Sequence, residues 1–313
     1  MALTTPVVLV IFNRPEETSK VLDSIKAARP ERVFVISDGP RPNVLDEAQK
    51  VLACRELISN IDWPCSVELN YSEVNMGCKA RIVSGLTWVF SKADRAIILE
   101  DDCLPGADFF EFCQTLLKQY EYDYSVGSIS GWNSFPDMNE AAADYYFSRY
   151  PRAWGWATWG RTWKLYEESI CDDEEFLGSK AFKKSSTSRA SRRFWKILRE
   201  QIAKKTLDTW DVQLLFSFWK HNLVTVIPRL NLVRNIGFGS AATHTTDPNT
   251  WYSKVPAFDL RWPLVHPKSI LVDESKDKEA QDREFSVSFF YFLIFKISNL
   301  LKPLKLLLFD AKR

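Results

Sequence analysis

The chain reads as an α/β protein with a mostly parallel central sheet flanked by helices. Three observations predict this. Apolar runs of strand length alternate with stretches of helical spacing over the first hundred residues, the pattern of a sheet covered on both faces. The strongest of those runs, such as Val7-Val8-Leu9-Val10-Ile11 and Ala96-Ile97-Ile98-Leu99, are apolar throughout, as doubly covered strands are. With 313 residues, 46% of them hydrophobic, the chain has ample material for a core.

In order, residues 7–12 form the first strand, which Asn13-Arg14-Pro15 breaks. Helical spacing follows over 16–28 through Val21, Leu22 and Ile25. The second strand, 32–37, stops at Asp38-Gly39-Pro40-Arg41-Pro42. A helix over 45–58 leads to an alternating third strand at 66–71. Residues 79–93 have a helical apolar face of Ile82, Val83, Leu86, Val89 and Phe90, and 95–99 is the fourth strand. The second half is less regular. It holds a helix over 108–120 with Asp108 as its cap, a short strand 126–130 before Gly131-Trp132-Asn133, and a candidate strand at 145–148. Residues 152–163 are dense in Trp and Gly. The basic, Ser-rich stretch 183–193 reads as a mobile loop, followed by helices over 192–204 and 210–221, a strand at 224–227, and a Gly/Ala/Thr-rich segment over 235–245.

The fourth strand ends in Glu100-Asp101-Asp102. Carboxylates at the end of a buried strand are costly unless paired, hydrogen-bonded or metal-bound. Open α/β sheets bind their ligands at the carboxyl ends of strands, and hard cations such as Mg²⁺ and Mn²⁺ share carboxylate oxygens with a substrate diphosphate. The triplet thus points to a metal-assisted nucleotide site. A helix N-terminus, where acids are favoured, is the competing reading. The ends of strands one, two and four, with Lys79-Ala80-Arg81 at a helix start, bring Phe12, Asn13, Arg14, Asp38, Lys79, Arg81, Glu100, Asp101 and Asp102 to one edge. Arg and Lys there suit phosphate, although for Lys79 and Arg81 a salt bridge at a helix start fits as well. No GxxxxGK[ST] or GxGxxG motif occurs.

Lys+Arg at 41 against Asp+Glu at 40 argues against a nucleic-acid binder. The 12 Trp and 21 Phe suit a carbohydrate cleft, a membrane-facing surface or a large core. Within them, residues 154–159 are either an acceptor platform or core. The six cysteines form no CxxC pair or zinc spacing, and no secretory signal opens the chain, so free thiols in a reducing cytosol are expected. His221 and His266 are expected to be structural. Lys183, Lys184, Arg189, Arg192 and Arg193 either meet an anionic group or form a solvated face. Residues 251–313 are set apart from a catalytic domain at 1–250. Their apolar run at 285–308 is interrupted by Lys296, Lys302 and Lys305, and its unbroken part falls short of the ~18–20 residues of a spanning helix. It is expected to lie in a membrane interface, with a core-docked or dimerising helix as the alternative.

The ordered series Val8-Leu9-Val10-Ile11 up to Arg14, Ile36-Ser37-Asp38, Lys79-Ala80-Arg81, Ile98 to Asp102 with Asp108-Phe109-Phe110-Glu111, Ser130-Gly131-Trp132-Asn133, Gly155-Trp156, Trp210-Asp211 and Phe238-Gly239 leading to His244 resembles the glycosyltransferases of the GT-A fold (the nucleotide-diphospho-sugar transferase fold). More narrowly, it is similar to the N-acetylglucosaminyltransferase I type and to bacterial glycosyltransferases grouped with family 2. The resemblance implies a metal-dependent, inverting transfer from a nucleotide-diphosphate sugar, with a UDP-sugar favoured, to a saccharide or lipid-linked acceptor. Mn²⁺ or Mg²⁺ is the implied cofactor. Asp102 is then a direct metal ligand, with His244 in a loop closing near the diphosphate as a second candidate. Asp38 contacts the base, Arg14 lies near base or phosphates, and Glu100 and Asp101 contact the sugar or order the metal's waters. Asp211 matches the catalytic base. Its place beside Trp210 gives a reason for a raised pKa, a helix N-cap is its ordinary alternative, and Asp208 is its local rival. Bacterial cell-surface glycan synthesis at the inner face of the cell membrane is the expected setting. A sugar nucleotidyltransferase and a non-catalytic glycan-binding scaffold of the same fold are the other readings.

Overall fold

The computed structural model describes residues 3–138, 143–238 and 251–295. The first four strands are β1 (Val7–Ile11), β2 (Arg32–Ser37), β3 (Ser66–Tyr71) and β4 (Arg95–Glu100). They alternate with α1 (Pro15–Ala28), α2 (Glu47–Ser59) and α3 (Cys78–Phe90). Next come β5 (Cys103–Pro105), α4 (Phe109–Gln119), β6 (Val126–Ser130), β7 (Tyr145–Ser148), β8 (Trp156–Trp159) and α5 (Gly160–Trp163). Then follow α6 (Glu174–Gly178), α7 (Lys180–Ser185), α8 (Arg189–Ala203), α9 (Asp211–Lys220), β9 (Val224–Pro228), β10 (Val233–Asn235) and α10 (Glu274–Arg283). The main sheet has the order β3-β2-β1-β4-β8-β6-β9-β7, and β10 pairs with β5 in a small second sheet. The expected α/β class is what the structure shows.

β1 lies in the middle of the parallel half, paired with β2 (Ile11 opposite Ser37) and β4 (Val10 opposite Glu100). Its alternate residues enter two separate cores. Val7, Leu9 and Ile11 face α1, α2 and α4 through Val21, Ile25, Cys54 and Leu116, while Val8 joins Ile82, Leu86, Trp210 and Leu214 on the α3 and α9 side. This division is why the run is apolar at every position. A third cluster, around Trp195, Phe216 and Trp219, holds α6 to α9 together.

One open reading is decided and two expectations are corrected. The Trp-rich segment is β8, an antiparallel strand inserted between β4 and β6. Trp156 and Trp159 are buried, so they are core, and Trp154 is half-buried. Residues 183–193 are not a loop. Ser179 caps α7 by accepting from the Phe182 N–H (3.2 Å), and Ser188 caps α8 by accepting from the Ser191 N–H (2.9 Å). Of the serines that suggested a loop, Ser185 ends α7, Ser188 caps α8 and Ser191 lies within it. Asp108 makes no side-chain cap on α4. Its carboxylate accepts instead from the Leu260 N–H (2.7 Å) and the Trp262 ring N–H (3.0 Å), binding the chain after residue 250 to the body.

That returning chain is further fixed by Asp277 on α10. Its buried carboxylate accepts from the Ser148 hydroxyl (2.5 Å), the Arg149 N–H (3.2 Å) and the Arg149 guanidinium (3.1 Å). Burial outweighs these bonds and raises the carboxyl from 3.8 to about 6. No helix among the described residues is long and apolar enough to cross a membrane.

Two outcomes follow for stability. A folded-state pKa above the unfolded value means that the native state holds the proton more tightly. The contribution of Asp277 is therefore complete below pH 3.8 and is lost as the pH rises toward about 6. Asp277→Asn mimics the protonated carboxyl, so the wild-type Tm should fall relative to the variant's across that window; parallel Tm-versus-pH curves would contradict this. Gly131 has no room for a methyl group, since a Cβ would stand 2.5 Å from the Phe109 ring and 2.7 Å from Val233. Gly131→Ala should cost about 2 kcal/mol in chemical denaturation.

Candidate active site

Because β1, β2 and β4 are parallel neighbours, their carboxyl ends share one edge. At the end of β1 the Phe12 N–H donates to Asp101 (3.1 Å). The Arg14 guanidinium donates to Asp101 (3.2 Å) and to Asp102 (2.6 Å). Burial pulls Arg14 down, but Asp102 and Asp101 together hold it above its ordinary value. Three carboxylates still face one guanidinium. Burial, then Asp102, drives Asp101 up to about 7. Burial, then Asp102, Asp101 and Asp211, drives Glu100 well above the usual carboxylate range, with Arg14 offsetting only part. The edge therefore holds more carboxylates than cations, and their joint ionisation is unfavourable.

Asp38, at the end of β2, is buried and faces the protein's own loop. Its oxygens accept from the N–H groups of Gly39 (2.9 Å), Met76 (2.9 Å) and Gly77 (3.1 Å) and from the Asn75 amide (3.2 Å). Burial raises its carboxyl, and these amides work against that shift. Gly39 fits beneath the loop because a Cβ there would lie 2.6 Å from the Val74 backbone and 2.7 Å from that of Glu73. Buried Arg81 donates to the Ser37 carbonyl (3.1 Å) and to both oxygens of Asn70, bracing β2 against β3. Asn13 donates to Glu47 (2.8 Å), which also holds Arg41, so the loop after β2 is clamped to the end of β1. Lys79 reaches the Glu168 carbonyl (3.2 Å).

The opposing wall is made by the start of α9. Asp211 is exposed and accepts from the Thr209 hydroxyl and the Val212 N–H (2.9 Å). The neighbouring Trp210 does not bury it, because that ring turns inward and stacks on Trp156 at 5.6 Å. Asp208 lies against Gly77 and the Lys79 N–H (3.5 Å), at the start of α3. Cys78 marks the centre of this arrangement. Its thiol is pushed well up by burial and then by Glu100, Asp208, Asp211 and Asp38. Four carboxylates from three segments thus act on this one thiol.

A third wall comes from β10. Asn235 pairs with Cys103, and the Ile236 N–H donates to the Asp102 carbonyl (2.8 Å). Any side chain at Gly237 would collide with the Asp102 carboxylate. Phe238 then meets the edge of Trp154 (6.0 Å), which packs on Trp132 (4.8 Å). His244 lies outside the described residues.

The structure brings Phe12, Arg14, Glu100, Asp101 and Asp102 together and places Asp211 within electrostatic reach of Glu100. Asp38, Arg81 and Asn13 are engaged in the protein's own loops, and Lys79 reaches toward Glu168. Sequence reasoning missed Arg55, whose guanidinium binds the Ser37 hydroxyl (3.0 Å) and the carbonyls of Asp38 (3.2 Å) and Ser72 (2.7 Å). It also missed the contact of Gly237 with Asp102. Neither carries a local signal, since both meet partners far away in sequence. Among the described residues, no group of three or more His, Cys, Asp or Glu side chains is arranged to hold a metal ion.

No family model matches the chain. The 4-diphosphocytidyl-2C-methyl-D-erythritol synthase of Anaerococcus prevotii overlays on it with a TM-score of 0.36 at 8% identity, over 71% of this chain and 87% of that one. A UDP-glucose pyrophosphorylase complexed with UDP-glucose overlays with a TM-score of 0.29 at 8% identity, over 52% of this chain and 78% of that one. The glycosyltransferase GlyE of Streptococcus pneumoniae overlays with a TM-score of 0.34 at 10% identity, over 71% of this chain and 45% of that one.

Proposed function

We propose that the protein is a nucleotide-sugar-dependent glycosyltransferase that moves a sugar from a nucleotide-diphosphate donor to a hydroxyl of a saccharide or lipid-linked acceptor with inversion. The observation that carries this reading is the carboxylate-rich edge of the sheet. There Arg14 bridges Asp101 and Asp102, with Asp211 exposed on the wall beyond Glu100.

The donor set suits a hard divalent cation in kind. Asp102 supplies carboxylate oxygen in surroundings with more negative than positive charge. Mg²⁺ and Mn²⁺ commonly take one or two protein carboxylates and complete their shell with water and phosphate oxygens. Asp102 is the residue assigned to hold the ion, with His244 as the second candidate. When bound, the ion would neutralise charge growing on the departing diphosphate. The chain's own groups do the rest. Arg14 supplies a fixed positive charge beside the phosphates. Phe12 and Asn13 form the floor under the nucleotide. Asp38 shapes the loop beneath the base by holding the amides of residues 76 and 77, a positioning role. Asp211 takes the proton from the acceptor hydroxyl at a carboxylate oxygen, and its exposure leaves it open to an acceptor arriving from solvent.

Asp211→Asn should lower transfer by about a hundredfold or more while donor-induced thermal stabilisation survives. Undiminished turnover would remove Asp211 from the base role and leave Asp208→Asn as the next variant to assay. Asp102→Ala should abolish the extra stabilisation that Mn²⁺ adds to a UDP-sugar, with the Tm of the free protein changed little. If the donor instead forms from a sugar phosphate and a nucleoside triphosphate, the protein is a nucleotidyltransferase. If neither transfer nor slow donor hydrolysis is detected with Mn²⁺, it is a binding scaffold.

A further inference from the structure

Residues 289–295 are helical and leave the body beside α8. Phe289 (65%), Phe290 (71%), Tyr291 (57%), Leu293 (44%) and Ile294 (48%) are exposed along this one short segment. So dense a cluster of large apolar side chains in water marks a contact surface.

The base of the segment is firmly attached. Phe285 stacks on Tyr150 (5.2 Å). The Val287 N–H donates to the Ala190 carbonyl (3.3 Å), and Arg193 donates twice to the Val287 carbonyl (3.3 and 3.2 Å). The Arg193 guanidinium also stands 5.8 Å from the centre of the Phe289 ring. The apolar segment and α8 therefore present one continuous surface.

The helix beside it is strongly basic. From residue 180 to 205 the chain has ten Lys and Arg and one acid, Glu200, although its overall net charge is only +1. Arg189, Arg193 and Lys196 recur at i, i+4 and i+7, on one face of α8. Arg192 adjoins them, and α7 adds Lys183 and Lys184, both exposed. Arg199 is paired with Glu174, but among the described residues no carboxylate is in salt-bridge contact with Arg189, Arg192, Arg193 or Lys196. Farther on, the sequence keeps the same mixture, with Lys296, Lys302, Lys305, Lys312 and Arg313 among leucines.

We propose that α8 and residues 289–295 together form a docking surface for an anionic phospholipid bilayer. The exposed aromatics and Leu293 enter the interface, and the basic stripe meets the headgroups. Charge favours this occupant over a second copy of the chain, because pairing two such faces would oppose two unneutralised basic stripes. The inference does not depend on the proposed reaction.

Co-sedimentation of the full chain with vesicles tests it. Binding to phosphatidylcholine mixed with phosphatidylglycerol should exceed binding to phosphatidylcholine alone by about tenfold or more, and should weaken with added salt. Phe289→Ser with Phe290→Ser, and separately Arg189→Glu with Lys196→Glu, should each lower binding to the anionic vesicles by about tenfold with the Tm unchanged, since all four side chains are exposed or lie outside ion pairs. Equal binding to both vesicle types overturns the electrostatic half of the proposal. No binding, or loss of a dimer in the Phe289→Ser/Phe290→Ser variant by light scattering, overturns it entirely in favour of self-association.

Discussion

Arg14 sits between two consecutive carboxylates that the end of β4 cannot avoid presenting. By donating to Asp101 and Asp102 it ties the end of β1 to the end of β4, and the Phe12 N–H adds a backbone bond to the same group. Without this guanidinium, buried Asp101 and half-buried Asp102 would face each other and Glu100 with no cation among them, at a cost of several kcal/mol per ion. The bridge is incomplete by charge count, with three carboxylates and one guanidinium. Burial and like charge raise Asp101 to about 7 and push Glu100 well above the usual carboxylate range, so ionising all three carboxylates together is unfavourable here.

The surrounding loops are organised so that this edge stays in place. Asp38 fastens residues 75–77 beneath the end of β2, Arg81 and Arg55 brace β2 against the end of β3, and Glu47 clamps the loop after β2 through Asn13 and Arg41. Each brace uses a charged side chain on backbone carbonyls or amides, the strong class of hydrogen bond. On the other side, the close approach of Gly237 brings the strand after Val233 onto Asp102. A rim braced in this way fixes the positions of Arg14 and the acidic triplet, which under the proposed reaction are the groups preorganised toward the donor.

Much of this was legible in the sequence. The four parallel strands, their helices and the edge shared by Arg14, Asp38 and the acidic triplet follow from apolar runs broken by polar residues. The use made of each residue was less legible. Asp38 and Arg81 read equally well as ligand contacts, and only their partners show them fastening loops. The serines of 183–193 have the composition of a loop, yet Ser188 caps α8, and α7 and α8 are held by Phe182 and Trp195 packing on Phe216 and Trp219.

The sequence by itself determined the alternation of elements, because local apolar periodicity is a property of neighbouring residues. It also determined that three carboxylates stand at a strand end. Tertiary structure decided what neutralises them, since Arg14 reaches Asp101 and Asp102 across 87 and 88 residues. It likewise decided that the Trp-rich run is an antiparallel core strand, and that a basic helix and an exposed apolar segment nearly a hundred residues apart form one surface. Charge pairing and strand insertion depend on distance in space, which local sequence does not encode.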